Sequence, residues 1–177
     1  MDISKLDKLI KPSGTMAISN KSRELKSQGK PVIGFGAGEP DFPSPQHVVD
    51  AAINAASDPK NHKYSPAAGL ESLREIIAKT TKEYSGFDIK SKNVIVSNGG
   101  KQSILTAFLS ILDSDDEVLI PSPYWTTYPE AVKIAGGNPV FIETEKDNNF
   151  KVTIDLLEKA KTTKSKMLVW CSPSNPT

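Results

Sequence analysis

The chain has 177 residues, 37% of them hydrophobic and 24% charged, with a formal net charge of +1. That balance suits a soluble globular protein with a core of ordinary size and gives no sign of a nucleic-acid or membrane surface, so the expected partner is a small molecule. The single cysteine, Cys171, excludes an internal disulfide, and two histidines far apart in sequence give no zinc-like spacing, so no metal site is expected.

Residues 1–14 are polar and end in Lys11-Pro12-Ser13-Gly14, an arm that something else must hold. They contain no apolar run of signal-peptide length, and the expectation is a cytoplasmic protein. A helix is predicted from Thr15 to Gln28, stopped by Gly29 and Pro31. Pro31 to Gly38 is interrupted by glycines too often for a long strand, and reads as a backbone-rich loop beside a pocket. Glu39 and Asp41 flank a proline and read as turn-fixing carboxylates.

Ser44-Pro45 opens a helix with Ser44 as cap and Pro45 in the first turn, its buried face made of Val48, Val49, Ala52, Ile53 and Ala56. Asn61 to Gly69 is a loop whose large residue is Tyr64. From Leu70 to Tyr84 an amphipathic helix places Leu70, Leu73, Ile76, Ile77 and Tyr84 inward and ends at Gly86.

Val94, Ile95 and Val96 have the pattern of a strand buried on both faces. After Gly99-Gly100 the period changes: Ile104, Leu105, Phe108, Leu109 and Leu112 make one face of a helix from about Lys101 to Leu112. The unpaired N–H groups and positive dipole end of such a helix, with glycines that admit an anion closely and Lys101 beside them, would make a ready phosphate site; the alternative on these residues alone is that Gly99-Gly100 simply turns the chain tightly.

Val118 to Ile120 is a second buried strand, followed by the loop PSPYWTTYPE with Tyr124, Trp125 and Tyr128. A helix from about Tyr128 to Ile134 and a strand from Pro139 to Ile142 come next. Asp155 to Glu158 has capping-box spacing at the head of a short helix, and Met167 to Trp170 is the last strand, with Cys171 expected to be packed. Alternating strands and helices from residue 93 onward predict an α/β fold with a mostly parallel, doubly wound sheet, whose ligands bind beyond the carboxyl ends of the strands. The last strand's exit loop lacks the helix that would cover the sheet, so the chain is expected to be the amino-terminal part of a longer protein.

The ordered motifs GAGEPDFPSP, KYSPAAGLESLRE, SNGGKQ, PSPYWTTYP and SPSNPT make the chain resemble the class I pyridoxal-phosphate aminotransferases, in their bacterial aspartate aminotransferase branch. The resemblance implies the type I pyridoxal-phosphate fold and a homodimer acting on an amino acid and a 2-oxo acid. Residues 1–44 would be an arm with part of the small domain, and 45–177 the first part of the large domain.

It also implies roles. Gly99 and Gly100 resemble the phosphate loop, and Tyr64 is similar to the tyrosine that reaches the neighbouring subunit's cofactor. Trp125 resembles the aromatic packed on the pyridine ring, and Asn175 the asparagine that bonds the ring oxygen and the substrate's α-carboxylate. Gly38 resembles the glycine whose backbone touches substrate, Lys101 the lysine that meets its side-chain carboxylate, and Lys11 a lysine associated with prephenate.

The family's Schiff-base lysine has no counterpart here, so no catalytic residue is assigned and the chain alone is expected to be inactive. A non-catalytic remnant, or another pyridoxal-phosphate enzyme on the same fold, is the alternative. The loops bearing Lys101, Trp125 and Asn175 are expected to converge at one rim.

Overall fold

The computed structural model describes residues 4–36 and 38–177. They divide into two compact units, one of residues 38–98 and one combining the chain before residue 38 with 99–177. The second of these opens with α1 (Lys5–Leu9) and α2 (Gly14–Ser27), the latter capped by the Ser13 hydroxyl, which accepts from the Met16 N–H at 3.3 Å.

In the 38–98 unit, α3 (Gln46–Ser57) starts one residue later than its sequence suggests. Pro45 takes the cap position and makes no side-chain cap bond, because its ring carries no acceptor. Its apolar stripe is not buried: Val48 is 49% and Ile53 59% exposed. α4 (Glu71–Ser85) ends at the left-handed Gly86 as expected, yet Leu70, Leu73, Ile76 and Tyr84 are exposed, Ile77 is half-buried, and Ala78 alone is buried along the helix. An amphipathic period shows which face a helix can bury, but a surface must arrive to cover it.

What packs on α4 is the segment around residues 91–96, tied down by Arg74. Its Nε donates to the Val94 carbonyl at 2.9 Å and its Nη2 to the Ser91 carbonyl at 2.8 Å. The strand expected at Val94–Val96 does not form. Val94 is extended and buried, but Ile95 is exposed, and the backbone bond runs from the Val96 N–H to the Ala68 carbonyl at 2.9 Å, a loop contact rather than a ladder. β-branched residues favour the extended backbone; a strand also needs a paired neighbour.

Gly69 sits at φ +94°, and a Cβ there would stand 2.7 Å from the Val96 Cβ. Gly69→Ala is therefore expected to cost about 1–2 kcal/mol from the left-handed backbone alone, with the Val96 contact adding to it. A urea unfolding midpoint indistinguishable from the parent's would contradict this.

The remaining elements are α5 (Gly100–Ile111), β1 (Glu117–Pro121), α6 (Thr127–Ile134), β2 (Asn138–Ile142), α7 (Ile154–Ala160) and β3 (Ser165–Leu168). The strands form a parallel sheet in the order β2-β1-β3, with Val118 opposite Pro139 on one side and Met167 on the other. β1 is central, and its Val118, Leu119 and Ile120 are all buried. Val118 and Ile120 share one face and meet Phe108 and Leu112 from the α5 end and Ala131 and Val132 from α6.

Three local expectations are corrected here. α7 is capped by Thr153, whose hydroxyl accepts from the Leu156 N–H at 3.3 Å, and not at Asp155. β3 lies two residues earlier than expected because its register is set by pairing with β1. The chain leaves the sheet after the Val169 N–H bonds the Leu119 carbonyl, so Trp170 and Cys171 are exposed rather than packed.

At the opposite end of the strands, Lys166 Nζ lies 2.7 Å from Asp116 and 3.4 Å from Asp113. The hydrogen bond from Lys166, reinforced by the Asp113 N–H, holds the Asp116 carboxyl below its ordinary value, and the same bond holds the Lys166 ammonium above its own. The Asp116 contribution to stability is complete above the ordinary carboxylate range and is lost as pH falls through its lowered folded value, below about pH 4. That of Lys166 is complete below the ordinary lysine value and is lost only as pH rises through its raised one. Asp116→Asn is expected to flatten the acid side of the stability profile without moving its slope near neutrality, measured by urea unfolding from pH 2 to 8. Among the described residues no helix is long and apolar enough to cross a membrane.

Candidate active site

The features of interest gather where α5 begins and where β1 and β3 end. Gly99 precedes α5 at φ +86° and, as a glycine, brings no side chain of its own to the first turn. From that turn Lys101 extends its Nζ over the indole of Trp125, 5.8 Å from the ring centroid. The ring's negative face attracts the ammonium, which orients both groups.

Trp125 belongs to the loop leaving β1, and that loop is fastened to the end of β2. The Ser122 N–H donates to the Ile142 carbonyl at 2.9 Å, and its hydroxyl donates to Glu143 at 2.9 Å. The Thr144 N–H and hydroxyl donate in turn to the Ser122 hydroxyl and carbonyl oxygens. Tyr124 stacks on Phe141 at 5.0 Å, and Trp125 meets Tyr128 edge-on at 5.6 Å. The indole is thus held by a cation on its face and a phenol at its edge.

Two clefts flank this loop. The first, of about 480 Å³, is lined by Tyr124, Tyr128, Phe150, Trp170, Cys171 and Asn175 among others. Burial pushes both tyrosine hydroxyls above their ordinary value, and at Tyr128 a hydrogen bond with Cys171 adds to the effect. Both phenols therefore keep their protons at neutral pH and can donate. The Cys171 thiol itself reaches the Pro173 carbonyl at 3.4 Å.

The second cleft, of about 610 Å³, is lined by Lys11, Ser13, Lys101, Tyr124, Glu130 and Lys133 among others. Glu130 accepts from the Lys11 N–H at 3.0 Å with one oxygen and from Lys133 Nζ at 2.9 Å with the other. Burial opposes its ionisation, but Lys133 and the Lys11 N–H outweigh that and hold the carboxyl below its ordinary value. It is charged at neutral pH.

Of the residues singled out in the sequence, the structure brings Lys101 and Trp125 into contact. Through Tyr128 it links Trp125 to the cleft that Asn175 lines. Lys11 shares the second cleft with Lys101, and Gly99 and Gly100 open the helix that carries Lys101. Gly38 and Tyr64 belong to the 38–98 unit, where Tyr64 is fully exposed beside His62 and Lys63 in a shallow depression. Sequence reasoning missed Phe150, Trp170 and Cys171 as cleft residues and Glu130 as an anchor. Trp170 and Cys171 stand on the exit of a predicted strand, the position that should have flagged them; Glu130 carries no such signal.

The family model described as aminotransferase class I and II matches residues 30–177. The chain belongs to that family. It is 51% identical to the aspartate aminotransferase of Streptomyces avermitilis over 168 residues, which is 95% of this chain and 41% of the relative. It is 46% identical to the aspartate aminotransferase of Bacillus subtilis over all 177 residues, 45% of that protein. Among solved structures, the aspartate aminotransferase from Thermus thermophilus with maleate superposes with a TM-score of 0.96 at 41% identity, covering 100% of this chain and 46% of that one. The fold of this class I and II aminotransferase chain is thus that of the pyridoxal-phosphate-dependent aspartate aminotransferases. It spans less than half the length of these relatives.

Proposed function

We propose that this chain is the cofactor-cradling amino-terminal part of a cytoplasmic, homodimeric aminotransferase that uses pyridoxal 5'-phosphate and passes the amino group of aspartate to 2-oxoglutarate. The observation that carries the reading is Lys101 seated on Trp125 at 5.8 Å beside a cleft that Asn175 enters. These residues suit a phosphorylated pyridine ring. The glycine-led start of α5 offers N–H groups to a phosphate, the indole offers a flat apolar face, and the Asn175 amide can donate to a ring oxygen.

Pyridoxal phosphate, when bound, supplies the electron sink that lets an amino acid lose its α-proton. The residues of this chain bind and orient. Gly99 and Gly100 would anchor the phosphate, Trp125 and Tyr128 would wall the ring from water, and Tyr64 would reach the phosphate held by the other subunit. Asn175 would hold the substrate's α-carboxylate, and the backbone of Gly38 would touch the substrate. Lys101 would take its distal carboxylate, and Lys11, on the same cleft, would admit the larger dianion prephenate. None of the lysines here stands in the sequence context of the family's Schiff-base lysine, so the chain by itself is expected not to transaminate.

The test is an aspartate–2-oxoglutarate assay, with absorption spectroscopy for bound cofactor, on the folded product of the whole gene. Turnover of the pair with a cofactor band supports the reading; a folded product showing neither abolishes it.

A further inference from the structure

The second cleft holds three lysines and one carboxylate, and that carboxylate is committed. Glu130, on α6, spends one oxygen on the backbone N–H of Lys11 and the other on Lys133 Nζ. Its side chain is 22% exposed and that of Lys133 27%, so both bonds are partly shielded from water. Residues 11–14 are exposed, and the bond from the Lys11 N–H spans 119 positions of sequence, which makes it a long-range tether of the arm to the unit. The ammonium groups of Lys11 and Lys101 form no ion pair among the described residues, whereas that of Lys133 is neutralised.

We propose that Glu130 is a positioning residue for substrate selection: it pins the arm through the Lys11 N–H and removes Lys133 from competition, leaving Lys11 and Lys101 as the cations a doubly carboxylated acid meets in this cleft. The inference rests on the reading of Lys101 and Lys11 above and adds to it the residue that sets their spacing. Charge-assisted bonds of this kind are stronger than neutral ones. Glutamine at 130 keeps an acceptor oxygen for the Lys11 N–H but releases Lys133; alanine removes both functions.

Amide hydrogen exchange at Lys11 reads the tether, and succinate against butyrate, titrated by the shift of the Trp125 indole N–H resonance, reads selection. Glu130→Ala is expected to speed Lys11 exchange roughly tenfold or more and to weaken succinate severalfold while leaving butyrate unchanged. Glu130→Gln is expected to keep at least part of the Lys11 protection, and Lys133→Ala to keep both the protection and the succinate preference. A purely structural role would instead lower thermal stability and weaken both acids alike.

Unchanged Lys11 exchange in Glu130→Ala overturns the tether, and an unchanged succinate-to-butyrate ratio overturns the selection. A parent protein that binds neither acid overturns the roles given to Lys11 and Lys101, and the selection with them; the exchange measurement then still judges the tether alone.

Discussion

Ile120→Ala should lower the unfolding free energy by about 4–5 kcal/mol, the upper part of the range for deleting a large buried aliphatic side chain. Ile120 is fully buried on the central strand, packed in the cluster of Phe108, Leu112, Val118, Ala131 and Val132. The cost falls in that upper part because the site cannot collapse onto the hole. β1 is hydrogen-bonded to β2 on one side and β3 on the other, so its backbone cannot move toward the helices without breaking a ladder. Ile120→Val, removing one methylene, should cost about 1 kcal/mol. Ile53→Ala, at a site 59% exposed, should stay within about 0.5 kcal/mol. Urea unfolding of the three variants decides the matter, and an Ile120→Ala loss below that of Ile53→Ala would show that the core does not sit on β1.

Trp125→Ala is the second large effect, on the function proposed above. Losing the indole face should weaken pyridoxal-phosphate binding tenfold to a hundredfold, about 1.4–2.7 kcal/mol, since an aromatic partner contributes both buried area and ring contact. Trp125→Phe keeps a flat face and should recover most of that, because what it lacks is the indole N–H and part of the area. Fluorescence quenching of the remaining Trp170 by added cofactor measures the affinity. An affinity for Trp125→Ala equal to the parent's would remove Trp125 from the cofactor site. The same substitution takes away the ring beneath Lys101, so the lysine should become more mobile, visible as a loss of chemical-shift dispersion at its side chain.

Much of this architecture was legible because it is written locally. Gly99-Gly100 and the three- and four-residue spacing that follows are enough to start α5, and the run at 118–120 is enough to make a strand buried on both faces. The five ordered motifs carried the family. Other features were not legible, for one physical reason. The stripe on α3 and the β-branched run at 94–96 describe what a segment is able to bury or pair, while burial and pairing depend on a second surface elsewhere in the chain. Cys171 failed as a core residue for the same cause: β3 ends at Leu168, where its register with β1 ends, three residues before Cys171.

By itself, then, the order of residues determined most of the elements, the parallel α/β class and the family, since periodicity, glycine turns and short motifs act over a few residues. Only the tertiary structure decided that Lys101 rests on Trp125, that Tyr128 joins that pair to the cleft of Asn175, and that Glu130 holds an arm 119 positions away. The first two arise where the start of α5 meets the exits of β1 and β3, the third where α6 meets the arm, and a distance set by the packing of separate elements has no trace in the spacing of either one.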